Sequence, residues 1–320
     1  MGWSNKIMAI RSDNNDWLKE IDQPDCCILG KLSHPDKKFC SRILVANLAA
    51  ISVLKARKTP ILVTYSDNLA DNTGSPVAML YRSLLWHADG VVYPCSAMQK
   101  LGQKWTNHRL PPREWIIEDP WQVERQSYCE IAPGEPLRII WFGHISNAVY
   151  LLRDLPKLLK HCNTCGKYEL TILGEQTTQI KAMKIIDACQ TNKPWKARFV
   201  NWKTDEQPEQ LATELKRAHV AIIPSDPEDV RKSAASHNRA VDAIQAGCMV
   251  VTSPLESYIE LRKLLLITEN PAATINAATR QYSRLINKWA KHREELMNRF
   301  SPEVNISKWQ VVLKELSEKV

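Results

Sequence analysis

Charged residues are concentrated in one otherwise apolar stretch, KSAASHNRAVDAIQAG at positions 232–247. Lys232 and Arg239 stand before or at the start of a predicted helix over 236–246, and Asp242 follows within it. Cations at the start of a helix oppose its dipole, and a bound anion offsets that cost. We therefore take Lys232 and Arg239 as candidate ligands of a diphosphate, and Asp242 as a candidate ligand of ribose hydroxyls. A surface salt-bridge cluster is the alternative interpretation.

A second candidate is the turn WFGHISN at 141–147. Gly143 ends an apolar run that reads as a buried strand, and Asn147 is placed to cap the helix that follows. A glycine at a strand-to-helix turn lets a phosphate approach the backbone, and the first turn of a helix offers unpaired N–H groups. A single glycine is equally typical of an ordinary tight turn, so this motif alone leaves both interpretations open.

These motifs lie in a regular alternation of strands and helices in the second half of the chain. Near-continuous apolar runs are typical of parallel strands buried on both faces. The predicted strands cover 137–143, 168–174, 197–202, 220–225 and 249–254. The predicted helices cover 147–160, 176–190, 206–218, 236–246 and 257–265, followed by helical patterns at 272–299 and 304–316.

The first half shows the same alternation less regularly. Its predicted strands cover 6–10, 26–29, 61–65, 90–93 and 115–117, and its predicted helices cover 39–57, 76–87 and 96–105. The polar segment 122–136 contains proline and glycine without periodicity, which predicts an interdomain linker. We therefore predict the α/β class with two Rossmann-like domains, in which ligands bind beyond the carboxyl ends of the strands.

Composition limits the functional classes. The 320 residues are 44% hydrophobic and 24% charged, the balance of a globular protein of two domains. The longest uncharged apolar run, Ile43–Leu54, is too short to span a bilayer, and the N-terminal residues lack a signal-peptide pattern. Nine scattered cysteines suit reduced thiols, so we predict a cytoplasmic protein. Cys162 and Cys165 form the one CxxC pair; no second pair lies at zinc-binding spacing, so no metal is expected.

The net charge of +8 is a mild excess spread along the chain. No predicted element interleaves basic and aromatic residues, so a nucleic-acid partner is not expected. The densest basic cluster, Lys31–Lys58, holds seven basic residues and Asp36 as its acid. Such a cluster favours peripheral contact with a membrane or an anionic substrate, and a solvated helix surface is the alternative.

The order of motifs from WFGHISN through AHVAIIPS to KSAASHNRAVDAIQAG and VVTSPLESY resembles retaining, nucleotide-sugar-dependent glycosyltransferases of the GT-B fold. The likeness covers most of 137–265, and RFSPEVNISKW is similar to the C-terminal helix of that family, which crosses back to the first domain. The resemblance implies two Rossmann-like domains facing a cleft. It places an acceptor domain at 1–133, a donor domain at 134–300 and the crossing helix at 301–320.

The resemblance also implies roles for individual residues. Lys232 and Arg239 would neutralise the diphosphate as it leaves, and Asp242 takes the position of the second family glutamate, which holds the ribose. The other residues implied on the donor side are Gly143, His144, Asn147, Ser233 and Asn238. The residues implied on the acceptor side are Asp67, Asp119 and His34.

Two functions follow as expectations. The first is a glycosyltransferase, hexosyltransferase-like and retaining, that moves a sugar from a nucleotide-sugar donor to a glycan, lipid-linked or protein acceptor without a cofactor. The second is a non-catalytic GT-B module that binds nucleotide or protein partners. The second is favoured by Ala234, which stands eight residues before Asp242, where the family has its first glutamate.

Overall fold

The structure is a computed structural model that describes residues 24–30, 37–162, 167–189, 195–202 and 209–318. By their internal contacts these residues form two units. The first comprises the described residues up to Glu118, Ala234–Ser236 and those from Ile306 onward. The second comprises the rest, so residues 119–133 belong to it. The domain limits 1–133, 134–300 and 301–320 stay a prediction.

The first unit contains a four-stranded parallel sheet in the order β1-β2-β3-β4. Its strands are β1 (Cys27–Leu29), β2 (Ile61–Thr64), β3 (Gly90–Tyr93) and β4 (Arg113–Ile116). Its helices are α1 (Lys37–Ala56), α2 (Pro76–His87) and α3 (Ser96–Gly102). The strand predicted over 6–10 lies outside the described residues. Helix α2 begins where it does because the Ser75 hydroxyl accepts the Val77 N–H and proline follows at the first helical position.

The sheet of the first unit is covered by the last helix of the chain, α10 (Pro302–Ser317). Val312 and Leu316 of α10 are buried against the strand residues Leu62 and Val92. The Trp115 indole donates to the Glu315 carboxylate over 3.2 Å. This packing confirms the prediction that the C-terminal helix returns to the first part of the chain.

The second unit contains a six-stranded, fully parallel sheet in the order β10-β9-β8-β5-β6-β7. Its strands are β5 (Leu137–Phe142), β6 (Tyr168–Gly174), β7 (Trp195–Asn201), β8 (Val220–Ile223), β9 (Met249–Thr252) and β10 (Leu265–Ile267). The central strands have the near-continuous apolar sequences that two-sided burial requires. Both sheets confirm the predicted α/β class.

The strand order of the second sheet reverses at β5. The chain passes from β5 to β6 and β7 on one side and then returns to β8 on the other side of β5. Ligands of open α/β sheets bind at such a reversal, beyond the carboxyl ends of the strands. The residues that follow β5 and β8 are Gly143 and Pro224, so the two motifs singled out in the sequence flank this point.

The helices of the second unit are α4 (Ile145–Cys162), α5 (Gln176–Cys189), α6 (Gln210–Arg217), α7 (Asn238–Gln245), α8 (Pro271–Thr279) and α9 (Tyr282–Met297). Two expectations were wrong. The helical pattern over 272–299 is two helices, α8 and α9. The segment 257–265, expected as a helix, contains most of a short 3₁₀ helix, Glu256–Leu261, and the start of β10. The prediction failed because a three-residue apolar run does not distinguish the end of a helix from a buried strand.

The polar segment predicted as a linker is bound to the second unit in its first part. The Gln126 N–H donates to the Gln245 carbonyl over 2.9 Å. The Arg293 guanidinium donates to the carbonyl oxygens of Gln126 and Gln245. These bonds use main-chain groups, so the side-chain pattern of the segment gave no sign of them.

Candidate functional site

The clearest candidate site is the turn after β5, where Gly143 meets Arg239 of α7. A β-carbon built on Gly143 would stand 3.5 Å from Arg239 Nη1 and 3.4 Å from the Trp141 ring. Gly143 has φ +156°, a conformation that side chains rarely adopt. The backbone of the turn therefore favours glycine, while a β-carbon there would make ordinary contacts with the guanidinium and the Trp141 ring.

The guanidinium of Arg239 is enclosed without a counter-charge. The residue keeps some exposed surface, but Nη1 has none and makes no hydrogen bond. Burial lowers the Arg239 pKa, and Tyr258 and Tyr150 partly oppose that shift. No ion pair with a carboxylate is found for Arg239 within the described part of the chain. A buried charge without a partner costs on the order of several kcal/mol, which makes Arg239 a candidate ligand of an anion.

The first turn of α4 lies directly after this glycine. The helix begins at Ile145, two residues earlier than expected, so Asn147 is inside the first turn and does not cap it. His144 takes the capping role, since its Nδ1 accepts the Ser146 N–H over 3.2 Å. Glu175 Oε1 accepts the Ile145 N–H over 3.2 Å and lies 3.4 Å from His144 Nε2.

The loop after β8 brings Lys232 and Ser233 to the turn before α7. Their N–H groups donate to the Asp229 carbonyl over 2.7 and 2.9 Å. Both residues are half-buried, and so is Asn238, the first residue of α7. The sequence interpretation named all three on the donor side, and the structure places them in the same unit as Gly143 and Arg239.

Asp242 is buried within α7, with 4% of its surface exposed. One of its carboxylate oxygens accepts the Gln122 N–H over 2.7 Å. Burial raises the Asp242 pKa to about 6, the Gln122 hydrogen bond lowers it and Asp119 raises it. Asp242 thus anchors the segment that follows β4, and its contact with ribose stays a prediction.

The residues expected on the acceptor side are divided between the two units and the part of the chain outside the described residues, so their shared role stays a prediction. Asp67 follows β2 in the first unit, where its carbonyl accepts the Leu69 N–H over 2.8 Å. Asp119 belongs to the second unit and lies near enough to Asp242 to affect its pKa. His34 lies outside the described residues.

Ala234, which the resemblance aligns with the first glutamate of the GT-B family, is enclosed in the hydrophobic core of the first unit with 2% of its surface exposed. Its carbonyl accepts the Cys95 thiol over 3.7 Å. The aliphatic side chain at this position is therefore part of a packed core.

Three residues of the site were missed by sequence reasoning. The Tyr150 hydroxyl donates to Asp229 Oδ2 over 2.5 Å, and Arg231 forms a two-pronged ion pair with the same carboxylate. The two-residue spacing of Asp229 and Arg231 was the one feature of the sequence that indicated their ion pair. Tyr150 had none, because its contact depends on β5 lying beside β8.

Metal-binding side chains do not cluster in the part of the chain that the structure describes: no group of three or more His, Cys, Asp or Glu residues could hold an ion there. The CxxC pair falls partly outside that range, since Cys165 is not described. The absence of a cofactor stays a prediction.

Comparison with known proteins bears on the fold. No protein-family model and no curated protein sequence matches the chain. Solved structures do match, among them Anabaena HepE in complex with UDP-glucose, which is 13% identical with a TM-score of 0.60 over 86% of this chain and 77% of its own. The α,α-trehalose-phosphate synthase (UDP-forming) from Burkholderia vietnamiensis is 11% identical with a TM-score of 0.59, over 87% and 76%.

A third similar structure is the pneumococcal O-GlcNAc transferase GtfA in complex with UDP and GlcNAc. It is 11% identical with a TM-score of 0.56, over 89% of this chain and 61% of its own. At such identities the likeness concerns the fold. The chain has the GT-B fold of these glycosyltransferases, as its sequence motifs implied.

Proposed function

We propose that the protein is a glycosyltransferase that moves a sugar from a nucleotide-sugar donor to an acceptor. The observation that carries the proposal is the enclosed Arg239 guanidinium beside the Gly143 turn, which has no counter-charge among the described residues. A diphosphate supplies that charge. The turn leaves backbone space for it, and the N-terminal end of α4 contributes the positive end of a helix dipole.

The similar structures support this choice of ligand. HepE binds UDP-glucose, and GtfA binds UDP and GlcNAc. UDP-sugars are therefore the first donors to test on this chain, with GDP-sugars beside them.

The proposed chemistry is stabilisation of the leaving group. The bond between the anomeric carbon and the phosphate oxygen breaks, that carbon bonds to an acceptor hydroxyl oxygen, and the hydroxyl proton passes to solvent water. Negative charge grows on the departing diphosphate, and fixed cations in an enclosed site stabilise it before it forms. We assign this role to Arg239 and Lys232. Retention of configuration is proposed from the family resemblance.

The remaining donor-side residues are assigned to binding. His144 and Asn147 lie at the start of α4, and Ser233 and Asn238 lie before and at the start of α7. We assign them to the diphosphate and the sugar. Asp242 is assigned to the ribose. The acceptor roles of Asp67, Asp119 and His34, and the acceptor itself, stay predictions.

A second candidate function is a non-catalytic GT-B module that binds nucleotide. It is favoured by Ala234, which is buried in the first unit and supplies no carboxylate where the resemblance places the first glutamate of the family. The two candidates differ in turnover. A module binds UDP or GDP and releases no sugar from any donor, whereas an enzyme does both.

Peripheral contact with a membrane surface is also proposed. Val45 and Leu48 of α1 and Met79 and Trp86 of α2 are exposed, although they are large and apolar. Residues 38–56 of α1 are long and apolar enough to cross a membrane by length and composition alone, a test that core helices of soluble proteins also pass. Exposed apolar side chains beside basic residues suit an anionic lipid surface.

Sedimentation with vesicles containing phosphatidylserine tests this contact. The sedimented fraction of the protein should fall when Trp86 is changed to Ser, and an unchanged fraction for Trp86→Ser would contradict the contact.

We also propose a cytoplasmic location. The seven cysteines whose side chains the structure describes are free thiols, which suits a reducing compartment.

The experiment that tests the proposed function is donor hydrolysis. The purified protein is incubated with UDP-glucose, UDP-GlcNAc and GDP-mannose, and nucleotide release is measured for wild type and Arg239→Ala. Release by wild type that falls at least about a hundredfold in Arg239→Ala supports an enzyme, because loss of one transition-state contact costs of that order. Release that Arg239→Ala does not change would rule out the role assigned to Arg239. Nucleotide binding without release would select the non-catalytic module.

A further inference from the structure

Asp229 is the most extensively bonded carboxylate in the loop after β8. Its Oδ2 accepts the Tyr150 hydroxyl over 2.5 Å and Arg231 Nη2 over 2.8 Å. Its Oδ1 accepts the Arg231 N–H over 3.0 Å and Arg231 Nε over 3.1 Å. A hydrogen bond from Arg231 and a weaker effect of the one from Tyr150 hold the pKa of the Asp229 carboxyl well below its usual range. The carboxylate therefore stays ionised. We name Asp229, Tyr150 and Arg231 the Asp229 latch.

The latch fixes the backbone that presents Lys232. The Asp229 carbonyl accepts the N–H groups of Lys232 and Ser233. One residue thus bonds Tyr150 through its side chain and the turn at Lys232 through its carbonyl. A loop without such contacts loses conformational entropy when it becomes ordered around a ligand, and that loss weakens binding.

Tyr150 connects this loop to the phosphate end of the site. It lies on α4 just beyond the first turn and is buried, with 5% of its surface exposed. It is also one of the two tyrosines near enough to Arg239 to affect the pKa of that residue. A second contact holds the same loop to α4, since Arg153 donates to the Ser225 carbonyl over 3.0 Å and to Asp226 over 3.3 Å.

Arg231 is occupied by the latch. Its guanidinium is paired with both oxygens of Asp229, so we assign Arg231 to the latch and Lys232 to the donor. The sequence, in which Arg231 and Lys232 are adjacent, does not distinguish these two roles.

We propose that Asp229 is a positioning residue: through Tyr150 it holds the Lys232 turn on α4, so that Lys232 and the start of α4 contact the diphosphate of one donor together. The proposal rests on the proposed function. Preorganised contacts of this kind raise affinity by lowering the ordering cost of binding.

The test measures whether the latch acts through Lys232. UDP and GDP binding are measured by calorimetry for the full chain as wild type, Tyr150→Phe and Asp229→Asn, each with Lys232 and with Lys232→Ala. Hydrogen exchange of the Lys232 and Ser233 amides is followed in the same proteins. Asp187→Asn, an exposed aspartate on α5, is the matched control.

With Lys232 present, Tyr150→Phe and Asp229→Asn should each weaken binding about tenfold, and the two amides should exchange faster. In the Lys232→Ala background the same changes should weaken binding less than about twofold, because the residue they position is gone. Asp187→Asn should change nothing.

Equal weakening in both backgrounds would show a general structural role and overturn the proposal. Unchanged binding in folded Asp229→Asn protein would overturn it as well. If wild type binds neither nucleotide, the proposed function fails and the positioning role fails with it, whatever the amide exchange shows. Binding by wild type therefore separates failure of the function from failure of the latch.

Discussion

Arg239 Nη1 lies beside the Gly143 turn: a β-carbon built on Gly143 would be 3.5 Å from that nitrogen, at contact distance. The nitrogen is buried and makes no hydrogen bond. A strand-end turn without a side chain and an unpaired guanidinium therefore border the same space, at the point where the order of the second sheet reverses. This relationship is the basis of the proposed binding site for an anion.

Arg239→Met should stabilise the protein without ligand. The change removes a buried charge that lacks a partner and keeps apolar volume, so we expect the free energy of unfolding to rise by about 1 to 3 kcal/mol. Denaturant unfolding of the two proteins measures this. Arg153→Met is the matched control, because Arg153 is paired with Asp154 and Asp226 and should give no gain. A loss of stability in Arg239→Met would mean that the guanidinium has a partner in solution.

Gly143→Ala should weaken UDP binding and also lower stability, because a side chain at φ +156° strains the backbone. The new methyl group would stand against Arg239 Nη1 and fill the space proposed for the phosphate. We expect affinity to fall by at least about tenfold in calorimetry, equivalent to about 1.4 kcal/mol. Affinity equal to that of wild type in a folded Gly143→Ala protein would place the phosphate elsewhere.

Gly247→Ala should destabilise the second unit strongly. Gly247 has φ +84°, and a β-carbon there would lie 2.2 Å from the Ser127 carbonyl oxygen, a main-chain atom that cannot easily move. We expect a loss of about 3 kcal/mol or more in unfolding free energy. Gly134→Ala is the matched control: φ is +82° and nothing lies within 4 Å, so about 1 kcal/mol is expected. Equal losses would show that Ser127 does not pack on this glycine.

Asp242→Asn should change how stability depends on pH. Burial raises the Asp242 pKa to about 6, above its value in the unfolded chain, so the folded state binds more protons between about pH 4 and 6. The stability that Asp242 contributes is therefore present below about pH 4 and is lost as pH rises through 6. Asn, whose carbonyl can still accept the Gln122 N–H, should be more stable at pH 7 by up to about 3 kcal/mol.

The difference between wild type and Asp242→Asn must be used for this measurement. Burial lowers the His219 pKa to about 4, which gives wild type an opposite trend over a similar range, with stability lost as pH falls. That trend is common to both proteins and cancels in the difference. A difference that does not vary between pH 4 and 7 would contradict a raised Asp242 pKa.

Sequence patterns predicted the features that each arise within one element. Gly143 ends an apolar run and Arg239 opens an apolar helix, so both could be named before any contact was known. The hydrogen bond between Tyr150 and Asp229 could not be predicted, because it forms only where β8 lies beside β5. The hydrophobic periodicity of a strand does not indicate which strand is its neighbour.

Contacts made by main-chain groups were also beyond prediction. The partner of Asp242 is the N–H of Gln122, in a segment whose polar composition reads as a linker. The short strand β10 was not predicted for a related reason. Its three apolar residues suit a helix equally well, and parallel pairing with β9 decides their conformation.

The central claim is that Arg239 binds the diphosphate of a nucleotide-sugar donor. Titration calorimetry of UDP and UDP-glucose against wild type, Arg239→Ala and Arg239→Lys tests it most directly. We expect wild type to bind both ligands. In Arg239→Ala the affinity should fall by at least about thirtyfold, because the loss of one ionic contact costs about 2 kcal/mol or more. Arg239→Lys should recover part of that affinity. Binding by Arg239→Ala as tight as by wild type would contradict the claim.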